Sequence, residues 1–345
     1  MSFRSPHPAA VIDRRRLLAG TGAAALLAAG GIRPAAARQD AATPAAGDDG
    51  WSFTDDLPQT IELPARPERI VAYMPLAAGL WDFGIRPIAV YGTLYRPDGT
   101  REVNTGSVDF DAVVSLGEAY GEMDIEQLVA LEPEILVNDY WFSQPDVWGL
   151  DASAVEQIES IAPIAHIGFV ERPVGVTIGR VEELALALGA DPEAPELVEA
   201  KERFEQSRAD LEAAIAAKPG LRVLFLGGNS DGLWVGNPEQ MGDLAFFRDL
   251  GMDVVQPDTD ALWHELSWEQ ANAYPADLIM LDNRTITSTP EELAKIATWS
   301  SLPPVVAGQV RPWQIEFVPS WGAFADVLDE VTAAIEGADP AIVDN

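Results

Sequence analysis

Residues 195–217 read PELVEAKERFEQSRADLEAAIAA. Leu197, Ala200, Phe204, Ser207, Leu211 and Ala214 recur at steps of three and four, which puts one narrow apolar stripe on an otherwise charged helix. Pro195 suits a first turn, Glu196 and Glu199 suit the electropositive N-terminal end, and Pro219-Gly220 stops the helix. At the usual rise per residue such a helix is about 35 Å long, the span of a small domain. Taken alone it is either a surface helix of one α/β domain or a spacer between two. The flanking sequence favours the spacer.

Before it, strands are expected at Pro58–Leu63, Ile70–Tyr73, Ile88–Tyr91, Ile135–Asn138 and Ile164–Ile167. Helices are expected at Pro75–Phe83, Ile125–Leu131, Val155–Ile161 and Val174–Leu188. After it the alternation restarts, with strands at Val223–Leu226, Val254-Val255, Leu278–Leu281 and Gln309–Trp313. The helices there are Met241–Leu250, Trp268–Ala273, Pro290–Thr298 and Trp321–Ile335. Strand–helix alternation on this scale specifies parallel sheets covered by helices on both faces. Two local patterns recur in the same order on each side. Asp124-Ile125-Glu126-Gln127 leads to the strand Ile135–Val137, and Ser267-Trp268-Glu269-Gln270 leads to Leu278–Met280, an offset of 269 − 126 = 143 residues. Leu80–Ile85 and Phe247–Met252 each carry a helix end, a capping glycine and a strand start. The expected fold is α/β, with two Rossmann-like lobes of parallel sheet joined by a single long rigid helix and a ligand cleft between them. Its boundaries are 51–194 for the first lobe, 195–217 for the helix and 218–345 for the second lobe.

The N-terminus is a separate object. Arg14-Arg15-Arg16-Leu17-Leu18 opens a run of Ala, Gly and Leu ending at Ala35-Ala36-Ala37, the order of an export signal with a small-residue cleavage site. The arginines followed by two leucines resemble a twin-arginine signal over 1–37. The run is short and broken by Gly20, Gly22, Gly30 and Gly31, which argues against a permanent membrane helix. Residues 38–50 read as a flexible spacer. The chain has 55 acidic and 22 basic residues, a net charge of −33. The first 37 residues carry five Arg and one Asp, so their removal takes this to −37. Such a balance argues against nucleic-acid binding through a basic surface and against attraction to anionic membranes. With no cysteine, disulfides, thiolate metal sites, catalytic cysteine and lipid attachment through cysteine are all excluded.

Several segments together resemble a known family: Arg69-Ile70-Val71-Ala72 with the Leu80–Gly84 turn, Ile125-Glu126-Gln127-Leu128 with Ala130–Leu136, and Trp299-Ser300-Ser301-Leu302-Pro303 with Gly308-Gln309-Val310. They are similar to the extracytoplasmic substrate-binding proteins of ABC importers for ferric siderophores, haem and cobalamin. The resemblance spans roughly Trp51 to Gly337 and rests on the order of the motifs. It implies two lobes joined by one helix and a ligand held in the cleft, here an Fe(III)-siderophore, with no cofactor and no catalysis. Haem and cobalamin are the alternative ligands. It also implies an ABC importer permease as partner, a monomer, and a location in the periplasm or at the cell exterior. In the family, a glutamate on the outer face of each lobe docks into arginine pockets of the permease, and the matching positions are Glu126 and Glu269. Many relatives from single-membrane bacteria carry a lipid-bearing cysteine, which this chain lacks.

Ligand groups in parallel sheets gather beyond the C-terminal ends of strands. In the first lobe this points to Met74, Tyr95, Arg96, Tyr120, Tyr140 and Trp141, the last two within Asp139-Tyr140-Trp141-Phe142. In the second it points to Trp234, Trp263, His264, Arg284, Trp313 and Trp321. Ten tryptophans, several of them in loops, suit an aromatic-walled pocket, and a few arginines suit a bulky, partly apolar and often anionic chelate. Only His166 and His264 remain after export, and His166 lies in an expected core strand, so a bare metal-ion site is not expected. No Gly-x-Gly-x-x-Gly, phosphate-loop or Gly-x-Ser-x-Gly motif occurs, which disfavours a two-lobed enzyme such as a chelatase or glycosyltransferase.

Overall fold

The computed structural model describes residues 50–141, 147 and 149–343. The expected export signal and most of the spacer lie outside the described residues, as does Phe142.

The chain enters through a hairpin, β1 (Trp51–Thr54) against β2 (Thr60–Leu63), that the expected elements had included only in part. There follow β3 (Ile70–Tyr73), α1 (Met74–Asp82), β4 (Ala89–Tyr91), β5 (Val114–Ser115), α2 (Ile125–Leu131) and β6 (Ile135–Tyr140). The lobe is completed by α3 (Ala152–Ile161), β7 (Ile164–Gly168) and α4 (Val174–Ala187). The five main strands form one parallel sheet in the order β5-β4-β3-β6-β7. Val71, Ala72, Leu136 and Val137 are all buried, as central strands covered on both faces require.

The long helix α5 runs Pro195–Ala216. Leu197, Phe204, Ser207, Leu211 and Ala214 are its buried residues, the stripe read from the sequence. The second lobe follows as β8 (Arg222–Gly228), β9 (Leu233–Gly236), α6 (Gly242–Asp249), β10 (Asp253–Val254), β11 (Trp263–Leu266) and β12 (Leu278–Asp282). Three one-turn helices come next, α7 (Pro290–Leu293), α8 (Ala297–Ser300) and α9 (Pro303–Val306), and then β13 (Val310–Trp313) and α10 (Trp321–Glu336). Strands β10, β8, β12 and β13 are parallel. To them the lobe adds β9 and β11, paired antiparallel along the same side of β8 that receives β10. The segment expected as one helix over Pro290–Thr298 is split between α7 and α8, and Trp268–Ala273 is a short 3-10 turn over Trp268–Gln270.

More than α5 ties the lobes together. Helix α10 packs along α5, and Arg203 of α5 pairs with Asp326 and Asp329 of α10. An aromatic cluster continues the core from one lobe into the other. Phe169 lies 5.1 Å from Phe317, Phe317 4.6 Å from Phe324, and Phe204 5.0 Å from Trp321. Beside it the Gly242 N–H donates to the Val170 carbonyl at 2.8 Å. A Cβ on Gly242 would overlap the Arg172 carbonyl oxygen, so the backbones of the two lobes meet here only because the residue is glycine.

Candidate functional site

The C-terminal ends of the first sheet and the loops of the second lobe face one cavity of about 380 Å³, within the range of small-molecule sites. Strand β3 passes into α1 without a loop. Tyr73 caps the helix and Pro75 occupies its first turn, so the Tyr73 ring and Met74 stand at the strand's end. Strand β6 delivers Asp139, whose Oδ2 accepts the Trp141 indole N–H at 2.9 Å and so fixes that ring on the wall. Tyr120 and Ile286 come from opposite lobes and are 69% and 62% exposed, forming apolar lips at the opening.

One wall is a chain of polar contacts crossing between lobes. Glu102 is buried, accepts Arg96 Nε and Nη2 at 3.1 and 2.9 Å, and caps the turn Val103–Thr105. Arg96 also donates to the Asn283 carbonyl of the second lobe. Within the turn, Asn104 Nδ2 donates to Glu316 Oε2 at 3.0 Å, and Gln314 Nε2 donates to the Val103 carbonyl at 3.3 Å. Glu316 Oε1 in turn accepts Arg284 Nη1 at 2.9 Å, while Arg284 Nη2 reaches Asp282 Oδ2 at 2.7 Å. Burial by itself would lower the affinity of Arg284 for its proton. Glu316 and Asp282 outweigh that and hold the guanidinium charged, above its ordinary range. Burial, then the charges of Glu316 and Asp139, push the Tyr73 phenol well above its usual value, so it stands in the cavity as a neutral hydroxyl. Among the described residues, no group of three His, Asp or Glu side chains converges as a metal ion would require.

A family model for periplasmic binding proteins matches residues 77–314. The chain belongs to the periplasmic binding protein family. Among solved structures, it is similar to DesE, a ferric-siderophore receptor protein from Streptomyces coelicolor, at 34% identity and a TM-score of 0.79, over 84% of this chain and 99% of that one. Two others share the fold. The siderophore periplasmic binding protein of the fuscachelin gene cluster of Thermobifida fusca has 22% identity and a TM-score of 0.58, over 79% and 98%. The periplasmic catecholate-siderophore binding protein VctP of Vibrio cholerae has 14% identity and a TM-score of 0.59, over 83% and 99%. No curated protein sequence matches.

Of the residues expected in the cleft of this periplasmic binding protein, Met74, Tyr120, Trp141 and Arg284 line the cavity. Arg96 stands one layer behind, on a neighbouring hollow of about 530 Å³ that shares Arg284. The others lie elsewhere. Trp313 is 1% exposed, donates its indole N–H to Asp243 at 2.8 Å and packs edge-on to Phe225, which makes it a core residue of the second lobe. Trp263 leans on Trp313 at 5.8 Å. Trp321 belongs to the aromatic cluster under α10, with its indole N–H on Glu182 at 2.7 Å. Trp234 lies across the face of Gly227, where a Cβ would overlap its indole nitrogen. His264 faces Tyr274, 2.7 Å from its hydroxyl, on the edge strand β11. Tyr140 packs edge-on to His166 and Tyr95 edge-on to Phe110, both off the cavity wall.

Asp139, part of the Asp139–Phe142 stretch expected at the cleft, also lines it, whereas Tyr73, Thr93, Glu102, Asn104, Thr285, Ile286 and Glu316 had not been assigned there. Tyr73 was within reach of the strand-end rule, as the last residue of β3. Glu102, Asn104 and Glu316 sit on connecting loops and leave no periodic signal.

Glu126 is exposed in the first turn of α2, behind the N-cap Asp124. Glu269 is exposed in the 3-10 turn whose capping box joins Ser267 and Gln270. A hydrogen bond from Ser267 holds the Glu269 carboxyl below its ordinary value, so it is charged at neutral pH.

Proposed function

We propose that this periplasmic binding protein captures a ferric siderophore in the cleft and delivers it to the permease of an ABC importer, without catalysing a reaction. The observation that carries this reading is the cavity of about 380 Å³ between the lobes, walled by Tyr73, Tyr120 and Trp141. It occurs in a chain 34% identical to a ferric-siderophore receptor over nearly all of that receptor. Aromatic faces give such a chelate contact area at small entropic cost, and the polar wall sets its orientation. Met74, Tyr120, Trp141 and Arg284 are proposed to contact it.

Export through the N-terminal signal, a monomeric state, and docking of Glu126 and Glu269 on the permease belong to the same proposal. Two separate charges can define orientation as well as attraction. The test is a tryptophan-fluorescence titration against ferric chelates, haem and cobalamin. Saturable quenching by a ferric chelate at micromolar concentration or below is expected. Binding of haem or cobalamin alone would replace the ligand, and binding of none would remove the proposal.

A further inference from the structure

Between β4 and the Val103–Thr105 turn the chain forms an arm that leaves the first lobe and fastens on the second. Tyr95 bridges to Arg101, the Arg96 N–H donates to the Thr100 carbonyl at 2.8 Å, and the Glu102 N–H returns to the Leu94 carbonyl at 2.9 Å. The base of the arm is held to its own lobe. Arg101 donates to the Val108 carbonyl at 2.8 Å and lies 4.0 Å from the Phe110 ring, which Tyr95 meets at 5.3 Å. The tip, residues 97–100, is exposed and buries no apolar side chain.

Three polar contacts fasten the arm and the turn that follows it to the second lobe. Arg96 Nη2 donates to the Asn283 carbonyl, Asn104 Nδ2 to Glu316 Oε2 at 3.0 Å, and Gln314 Nε2 to the Val103 carbonyl at 3.3 Å. The receiving side is fixed, because the Asn283 N–H is bound to the Trp313 carbonyl at 3.0 Å and Glu316 is paired with Arg284 at 2.9 Å. On the arm, the buried Glu102 accepts Arg96 and the Val103 N–H, and so aims the guanidinium across the gap. An element held by a few hydrogen bonds, with little apolar burial, opens far more cheaply than the whole fold.

The arm also stands between two spaces. Thr93, Glu102 and Asn104 line the cavity, Arg96, Pro97 and Asp98 line the hollow of about 530 Å³, and Arg284 and Thr285 face both. On the siderophore reading above, we infer that residues 95–101 form a clasp on the flank of the cleft. Fastened, it walls the cavity; released, it joins cavity and hollow and gives the chelate a way out. Arg96 is its positioning residue, since it does not line the cavity and acts on a bound ligand through what it holds.

The test separates the clasp from the ligand. The chain has no cysteine, so spin labels at Asp98→Cys on the tip and Glu291→Cys on the exposed side of α7 report the arm alone. One narrow distance distribution is expected, and a longer, broader one when Arg96→Gln is added. A broad distribution already in the parent, or an unchanged one with Arg96→Gln, would overturn the inference without any ligand. Binding of ferric desferrioxamine B and of ferric enterobactin to the unlabelled full chain is then followed by stopped-flow tryptophan fluorescence. Arg96→Gln should speed dissociation of whichever binds about tenfold, the scale of one hydrogen bond from a charged donor, with association no slower. Gln314→Ala, which leaves the Arg96–Glu102 pair intact, should speed it about threefold. Unchanged dissociation in Arg96→Gln, or weaker binding through slower association alone, would overturn the clasp and leave the siderophore reading in place. Failure of both chelates to bind the parent would count against that reading, and the label distances alone would then decide the clasp.

Discussion

Asp243 offers a way to test the packing beneath the site through pH alone. It stands in the first turn of α6, buried, with its Oδ2 accepting the Trp313 indole N–H at 2.8 Å. Burial raises its carboxyl from 3.8 to about 6, and the Trp313 hydrogen bond only partly offsets this. The native state thus holds this proton more tightly than the unfolded chain does. Below pH 3.8 both states are protonated and nothing is lost. Between 3.8 and about 6 the unfolded chain gives up its proton first, so stability falls as pH rises, and above about 6 the full cost is in place. At about 1.4 kcal/mol per tenfold change in proton affinity, the cost at neutral pH is about 3 kcal/mol. Asp243→Asn removes the charge and keeps a neutral acceptor for Trp313, as the protonated acid does; the weaker bond to a neutral acceptor is already inside that net figure. The variant should therefore exceed the parent by about 3 kcal/mol at pH 7 and lose its advantage near pH 3.5. Urea unfolding of both proteins across that range measures the difference directly. Chelate binding should change little, because Asp243 is buried and does not line the cavity. A variant less stable at pH 7, or a difference flat with pH, would mean that the folded state keeps this carboxylate charged at no cost, and the reasoning would fail.

Three further outcomes follow from the same contacts. Arg284→Met strands the buried Asp282 carboxylate and breaks the pair with Glu316, which should cost about 3–5 kcal/mol in denaturant unfolding, whereas a loss under about 1 kcal/mol would show that Asp282 finds another partner. Gly242→Ala drives a Cβ into the Arg172 carbonyl at the junction of the lobes and should cost about 1–3 kcal/mol by the same assay, against a neutral or stabilising effect if that junction yields freely. Glu126→Arg combined with Glu269→Arg should leave chelate binding intact and sharply reduce uptake through the importer; normal uptake would reduce both residues to ordinary first-turn glutamates.

Most of the architecture was legible because it follows from local rules. Ile70–Tyr73 and Ile125–Leu131 appear with the expected bounds, and α5 buries five of the six residues on the stripe read from its spacing. Apolar period, capping residues and glycine stops act over a few residues and can be read in order. The antiparallel strands β9 and β11 were missed, since β9 pairs with β8 and β11, β11 pairs with β9, and neither carries a clear alternation. The aromatic residues were harder to place. Trp141, Trp313 and Trp321 are alike as sequence, each near the end of a strand or the start of a helix. One lines the cavity, one is sealed against Phe225 and Asp243, and one closes the space between α5 and α10.

The alternation of strand and helix around residues 195–217 was enough, by itself, to read an α/β fold of two lobes joined by one helix. It also determined which strand ends could face a ligand. Tertiary structure alone decided the charge of the cavity. Arg96 and Arg284 read as free cations in the chain, but the fold brings Glu102, Asp282 and Glu316 to them, the last of these 32 residues from Arg284. A side chain's charge is written in the sequence. Whether that charge remains available to a ligand depends on what packs beside it, and in a buried wall a carboxylate within hydrogen-bond reach outweighs every local preference.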